Sequence, residues 1–346
     1  MNRARAIAVV LCAAGALAWR CLEPAPALAE EPAAAPPACQ GRDLSGDVAL
    51  RPDALAAART RRGDQLDNSQ GLLWRVEKAG GAASYLFGAI HSTDERALAL
   101  ARAAAAYILS VKTVATELGG PFDKFAAAEL GATMMVKALA KESDTLAAIG
   151  AHDDRALVEK YLAGRGVDAA LAHHLKLWFL AALTAAPACE IVRQQSDFPI
   201  VDEFLARTAR DLGVKVVAIE TIDEQTDVLA SVDPALAASI LISSARRPEL
   251  DDDMYATLLG LYAKKDPGEI LPVLDASEIL TPEESEAEDA FATRLLGARN
   301  QVMAERLAPL LDSGPVFVAV GALHLIGRDG LIERLRASGF SVTNVW

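Results

Sequence analysis

The chain is poor in cysteine, in aromatic residues and in positive charge. Four cysteines and 5% Phe, Trp and Tyr stand in 346 residues, and 34 Lys+Arg face 47 Asp+Glu, a formal net charge of -13. The shortage of basic residues argues against nucleic acid or an anionic membrane surface as a partner, because both need a positive footprint. Several motifs are missing as well: there is no G-x-S-x-G, H-E-x-x-H, C-x-x-C, P-loop or G-x-G-x-x-G. Serine hydrolase, zincin and nucleotide-binding readings are thereby disfavoured. What remains is 52% hydrophobic and long enough to bury a full core, which excludes the disordered and disulfide-scaffold classes.

The first residues read as an export signal. Arg3 and Arg5 form a positive start, Ala6 to Trp19 is apolar but short for a membrane span, and Ala27-Leu28-Ala29 fits a cleavage site before Glu30-Glu31. An uncleaved anchor is the alternative. Cleavage leaves Cys39 and Cys189 in a periplasmic or secreted setting, where disulfides persist. One disulfide between them is the economical expectation. Two unpaired thiols are the other possibility, since sequence says nothing of their separation in space.

The rest of the chain predicts an α/β fold with a central, mostly parallel sheet built from both ends of the chain and interrupted by large helical insertions. Residues 30–37 are a leader rich in Ala, Pro and Glu, and residues 51–68 are charged and helical. A hairpin is expected over 71–77 and 84–90, split by Gly80-Gly81. A helix over 97–110 and a buried strand over 111–117 complete a βαβ unit. Residues 126–140, 155–162 and 169–185 carry helical periodicity. A helix over 201–212, a turn at Gly213 and a strand over 214–220 follow, then helices over 224–273 and a solvated acidic stretch over 277–289. Helix 294–311, strand 316–320, helix 329–337 and strand 340–345 close the chain. The expected organisation is thus a signal peptide over 1–29, an N-terminal extension over 30–70 and one α/β domain over 71–346, with insertions at about 121–190 and 224–290.

The chemistry is carried by strand ends. Tyr85-Leu86-Phe87 runs into Gly88-Ala89-Ile90-His91, and Val316 to Val320 runs into Gly321-Ala322-Leu323-His324. Two other strands end in Glu117 and Glu220. In a parallel sheet such groups gather at one edge, and a glycine ahead of each histidine lets the backbone bend sharply or approach a ligand closely. A lone G-x-x-H is more often a hydrogen-bonded core histidine, and a lone strand-end Glu a surface charge or cap. The same phrase at two of only five histidines is a different matter. Two imidazoles with one or two carboxylates can hold a divalent metal with a position open for water. The other histidines read as structural: His173 and His174 are adjacent and point apart on a helix, and His152 stands in an acidic turn. Trp178 and Phe179 read as core, and Asp251-Asp252-Asp253 lacks the spacing of a calcium loop.

The ordered set Leu73-Trp74-Arg75-Val76-Glu77, Tyr85 to His91, Glu117, Ile219-Glu220-Thr221 with Gln225, Arg299-Asn300, and Gly321 to Leu325 with Gly327 and Gly330 resembles the TraB/GumN family over about residues 70–346. That family is similar to the Tiki-type metalloproteases, and more distantly to erythromycin-esterase-like and haem-binding ChaN-like proteins. The resemblance implies a divalent ion (Mn, Co, Zn or Fe) held by His91 and His324. It makes Glu117 a ligand or the general base, and Glu220 a further ligand or a supporting partner. Arg299 would stabilise an oxyanion or orient a carboxylate, with Asn300 as an additional donor. The implied activity is metal-dependent peptide or amide hydrolysis on an unknown peptide or small-molecule substrate. The alternatives are a periplasmic protein that binds haem, iron or a peptide signal without catalysis, and an envelope accessory protein.

Overall fold

A computed structural model describes residues 38–49, 51–78, 80–120, 124–141, 144–196, 198–277 and 290–346. The expected signal peptide, the leader and most of the acidic 277–289 stretch lie outside them. Six strands form one sheet: β1 (Leu73–Glu77), β2 (Ser84–Ala89), β3 (Thr113–Thr116), β4 (Lys215–Ala218), β5 (Val316–Gly321) and β6 (Ser341–Asn344), in the spatial order β4-β3-β5-β2-β1-β6. The hairpin β1–β2 and the pair β1–β6 are antiparallel, while β2–β5, β5–β3 and β3–β4 are parallel. The fold is therefore α/β, with a mostly parallel sheet drawn from both ends of the chain.

Two differences from the sequence reading bear on the site. The strands at β3 and β4 are shorter than 111–117 and 214–220, so Glu117 and Glu220 lie just beyond the last paired residues rather than inside them. And β2 and β3, linked by the helix Glu95–Ala105, are not neighbours, because β5 from the far end of the chain lies between them. Pattern reports that a strand exists; it does not report which strand lies beside it. The insertion of β5 matters for the site, because it sets the second G-x-x-H directly against the first, with Ala89 opposite Gly321.

Alternation of side chains along the strands divides the core into two layers. Phe87, Val114, Phe317 and Ala319 face the helices Glu95–Ala105, Val201–Asp211 and Glu249–Ala263. Leu86, Ala115, Val316, Val318 and Val320 face the helices Arg299–Ser313 and Leu331–Ala337. The insertions build a separate helical core around Leu177–Leu183, every residue of which is buried, Trp178 and Phe179 included. The early helix Pro52–Arg62 packs against Ile270–Ser277, where Arg62 reaches Asp275 at 2.8 Å. Cys39 and Cys189 are bonded, with Cα atoms 5.3 Å apart, and tie the start of the described chain to the helix Ala188–Gln195.

Among the described residues no single helix is long and apolar enough to cross a membrane. The helices Ile222–Ala230 and Pro234–Arg246 pass that test only together, and they meet at a bend of 84°.

Candidate active site

Parallel β3, β4, β5 and β2 deliver their four functional residues to the same edge of the sheet. Glu117 follows β3, Glu220 follows β4, and both are buried. Between them sits Arg299. Its Nε donates to Glu220 Oε1 at 2.8 Å, while its Nη2 donates to Glu117 Oε2 at 2.7 Å and to Glu220 Oε2 at 2.6 Å. Gln225 Nε2 donates to the same two carboxylates at 3.0 and 3.1 Å. Local sequence places Gln225: Thr221 and Glu224 form a capping box that fixes the start of the helix Ile222–Ala230, and Gln225 falls one residue further on. Arg299 is placed by an irregularity that sequence periodicity does not show. The chain ahead of it, Thr293–Ala298, is a π-helical turn, a wider winding that re-aims the residues which follow it.

The second G-x-x-H closes onto this centre. The Gly321 N–H donates to Glu117 Oε1 at 2.7 Å, and His324 Nε2 stands 4.0 Å from that same oxygen. The tautomer of His324 follows from its neighbours. Asn300 Nδ2 donates to the carbonyl of Asp329 at 2.9 Å, which can only accept, so Asn300 Oδ1 is turned to His324 Nδ1 at 2.6 Å. Nδ1 therefore carries the proton, and the Nε2 lone pair points to the cavity. Burial, reinforced by the Arg299 charge, pulls the His324 pKa down to about 3, so the ring is neutral.

The first G-x-x-H behaves differently. His91 Nδ1 lies 3.0 Å from Asp202 Oδ2, in the first turn of the helix Val201–Asp211. Among the described residues, His91 Nδ1 and both oxygens of Asp202 are buried without a hydrogen-bond partner. Burial alone would lower the His91 pKa; the Asp202 carboxylate outweighs it and raises the value to about 9. Glu117 shows the opposite balance: burial would raise its pKa, and the Arg299 guanidinium holds it well below the usual carboxylate range.

The glycines of the two motifs have unlike reasons. Neither has a positive φ, so no sharp bend is involved. A Cβ on Gly88 would meet Cα and Cβ of Ala322 at 3.0 Å, whereas on Gly321 the nearest atom would be Glu117 Oε1 at 3.4 Å. Gly88 thus lets the two motifs pack backbone to backbone. Gly88→Ala is expected to destabilise the protein by about 1–3 kcal/mol through overpacking, and Gly321→Ala by markedly less, as urea denaturation would show.

A cavity of about 100 Å³ opens above these residues, lined by His91, Glu117, Arg299 and His324 below and by apolar side chains around them. The structure thus brings His91, Glu117, Arg299 and His324 to one cavity, with Glu220 and Asn300 behind them. The sequence reading missed Asp202, whose place in a first helical turn is the commonest setting for an acidic residue with no other role. The remaining histidines lie elsewhere: His173 contacts Asp144 at 2.8 Å, and His152 is exposed.

The TraB/PrgY/gumN family profile matches residues 72–344. The chain belongs to this family. Comparison with curated proteins and with solved structures returns no match. The matched segment begins just before β1 and ends with β6, so it contains the whole sheet and every residue of the cavity floor.

Proposed function

We propose that this TraB/PrgY/gumN protein is an exported, metal-dependent hydrolase of peptide or amide bonds, with His324, His91 and Glu117 as the residues that would hold the ion. The observation that carries the reading is geometric: His324, whose Nδ1 is engaged by Asn300, places its Nε2 4.0 Å from an oxygen of Glu117, whose carboxyl Arg299 holds well below the usual range. Two ligand atoms about 2.1 Å from one tetrahedral ion are roughly 3.4 Å apart, so the pair would need to close by about half an ångström to share an ion. Charge bears on it too: Glu117 and Glu220 face the Arg299 guanidinium and Asp202 faces His91, whose pKa is raised to about 9, so His91 would give up a proton on taking the ion. Among the described residues no three His, Cys, Asp or Glu side chains stand close enough to hold an ion as they are, so the centre would have to draw its ligands together on binding.

When bound, a divalent ion would supply Lewis acidity and an acidified water. This chain's own residues do the rest. Asn300 fixes the His324 tautomer, and Asp202 faces the far nitrogen of His91; such outer partners orient metal-binding imidazoles. Glu117, with its depressed pKa, suits a ligand better than a proton acceptor. Glu220 has both oxygens on Arg299 and suits the supporting role. Arg299 has its Nε and Nη2 engaged, and its Nη1 makes only a 3.4 Å contact with Leu295 O, which leaves it as the donor to meet an oxyanion. Export is supported by the bonded Cys39–Cys189 pair.

Titration of chelator-treated protein with Mn(II) or Co(II) tests this assignment. Asn300→Ala is expected to weaken metal affinity about 10–100-fold while the fold is retained. An unchanged affinity would remove Asn300 and its tautomer argument from the site. The low basicity of Glu117 also favours one second reading, a metal-binding protein that does not hydrolyse; tight metal binding with no cleavage of a peptide library would select it.

A further inference from the structure

The floor of the cavity is polar, but its walls are not. Ile90, Leu258, Ile270, Leu296 and Leu323 surround the opening above His91 and His324, and two tyrosines complete the ring. Neither tyrosine offers its hydroxyl to a ligand. Tyr255 shares a 2.7 Å hydrogen bond with Ser92, and Tyr262 donates to the Gly88 carbonyl at 2.7 Å. Both therefore present ring carbon to the cavity. The guanidinium of Arg299 belongs to the floor, with its Nε and Nη2 held by Glu117 and Glu220. A polar group entering above the floor would lose its water and find no partner on the walls, which is costly.

Size sharpens the argument. An apolar cavity of roughly 150 Å³ admits benzene, and this one is about 100 Å³. The space suits a branched aliphatic group better than an aromatic ring.

We propose that this cavity is a side-chain subsite for a medium-sized aliphatic residue, Val, Leu or Ile, so that the bond presented to the floor is an amide next to such a residue. The proposal rests on the hydrolase reading for its chemistry, and on the walls alone for its selectivity. Leu296 guards the subsite from the π-helical turn, and its substitution reads out occupancy without touching the polar floor.

The test uses the full chain and three small amides, N-acetyl-leucinamide, N-acetyl-asparaginamide and N-acetyl-phenylalaninamide, titrated with ligand-observed NMR. The leucine amide is expected to bind about ten-fold or more tighter than the asparagine amide, which is close in size but polar, and tighter than the phenylalanine amide. Leu296→Trp, which fills the space, is expected to abolish leucinamide binding, and Leu296→Gln to weaken it, with metal content unchanged in both. Equal binding of the leucine and asparagine amides, no binding of any amide, or leucinamide binding indifferent to both substitutions would overturn the proposal. Selective leucinamide binding without cleavage of any peptide would leave the subsite standing and remove the hydrolase. Cleavage beside polar residues would do the reverse.

Discussion

Arg299→Met is expected to be among the most destabilising single substitutions in the protein, at about 3–5 kcal/mol. The side chain is nearly fully buried between Glu117 and Glu220, with charge-assisted contacts of 2.6 to 2.8 Å to both. Its removal would leave two carboxylates facing each other out of water, with only Gln225 between them. Chelator-treated protein is the right material, so that no bound cation compensates. The urea midpoint falls and the slope stays the same if the change is one of stability alone. Arg299→Lys keeps the charge but not the planar fork that reaches both acids, so it falls between. Adding Glu117→Gln and Glu220→Gln to Arg299→Met recovers much of the loss, because the repulsion disappears with the charges. A loss below about 0.5 kcal/mol for Arg299→Met would mean that the carboxylates do not depend on this arginine.

The second large effect is at Cys39–Cys189. The bond closes 150 residues of chain, and in the chain-entropy model such a loop contributes up to about 5 kcal/mol. Its effect reaches the site by a traceable route. Cys189 lies on the helix Ala188–Gln195, whose Glu190 accepts from Thr93 N and Thr93 Oγ1 at 2.8 Å each, while Arg193 donates to the same hydroxyl at 2.8 Å. Thr93 is two residues beyond His91. Reduction of the bond is therefore expected to lower thermal stability and to loosen the His91 side of the cavity more than the His324 side. Amide hydrogen exchange with and without reductant would show it: faster exchange around His91 to Arg96, little change around Gly321 to Leu325. Uniform exchange, or none, would contradict the coupling.

Much of this site is legible in the sequence because of where parallel strands put their ends. Gly88 to His91 and Gly321 to His324 repeat one phrase after two apolar runs, and neighbouring parallel strands turn repetition in sequence into proximity in space. Glu117 and Glu220 follow the same logic on β3 and β4. What escapes is whatever depends on tertiary placement. The insertion of β5 between β2 and β3 leaves no trace in hydrophobic pattern. The π-helical turn at Thr293–Ala298 reads as ordinary helix, and yet it sets the aim of Arg299 and Asn300. Asp202 is invisible for a different reason: an acid in the first turn of a helix needs no explanation from sequence, and only the structure places it 3.0 Å from His91 without a hydrogen bond. The ion pairs of Arg299 with both Glu117 and Glu220 also leave no trace in the sequence.

The central claim is that the two G-x-x-H turns and Glu117 form one metal centre. Elemental analysis of the protein purified without chelator, beside His91→Ala and His324→Ala, tests it most directly. Near-stoichiometric Mn, Co, Zn or Fe is expected in the unaltered chain, and its loss from both variants, each still folded by circular dichroism. Metal absent from the unaltered protein even after reconstitution, or full occupancy in His324→Ala, would contradict it.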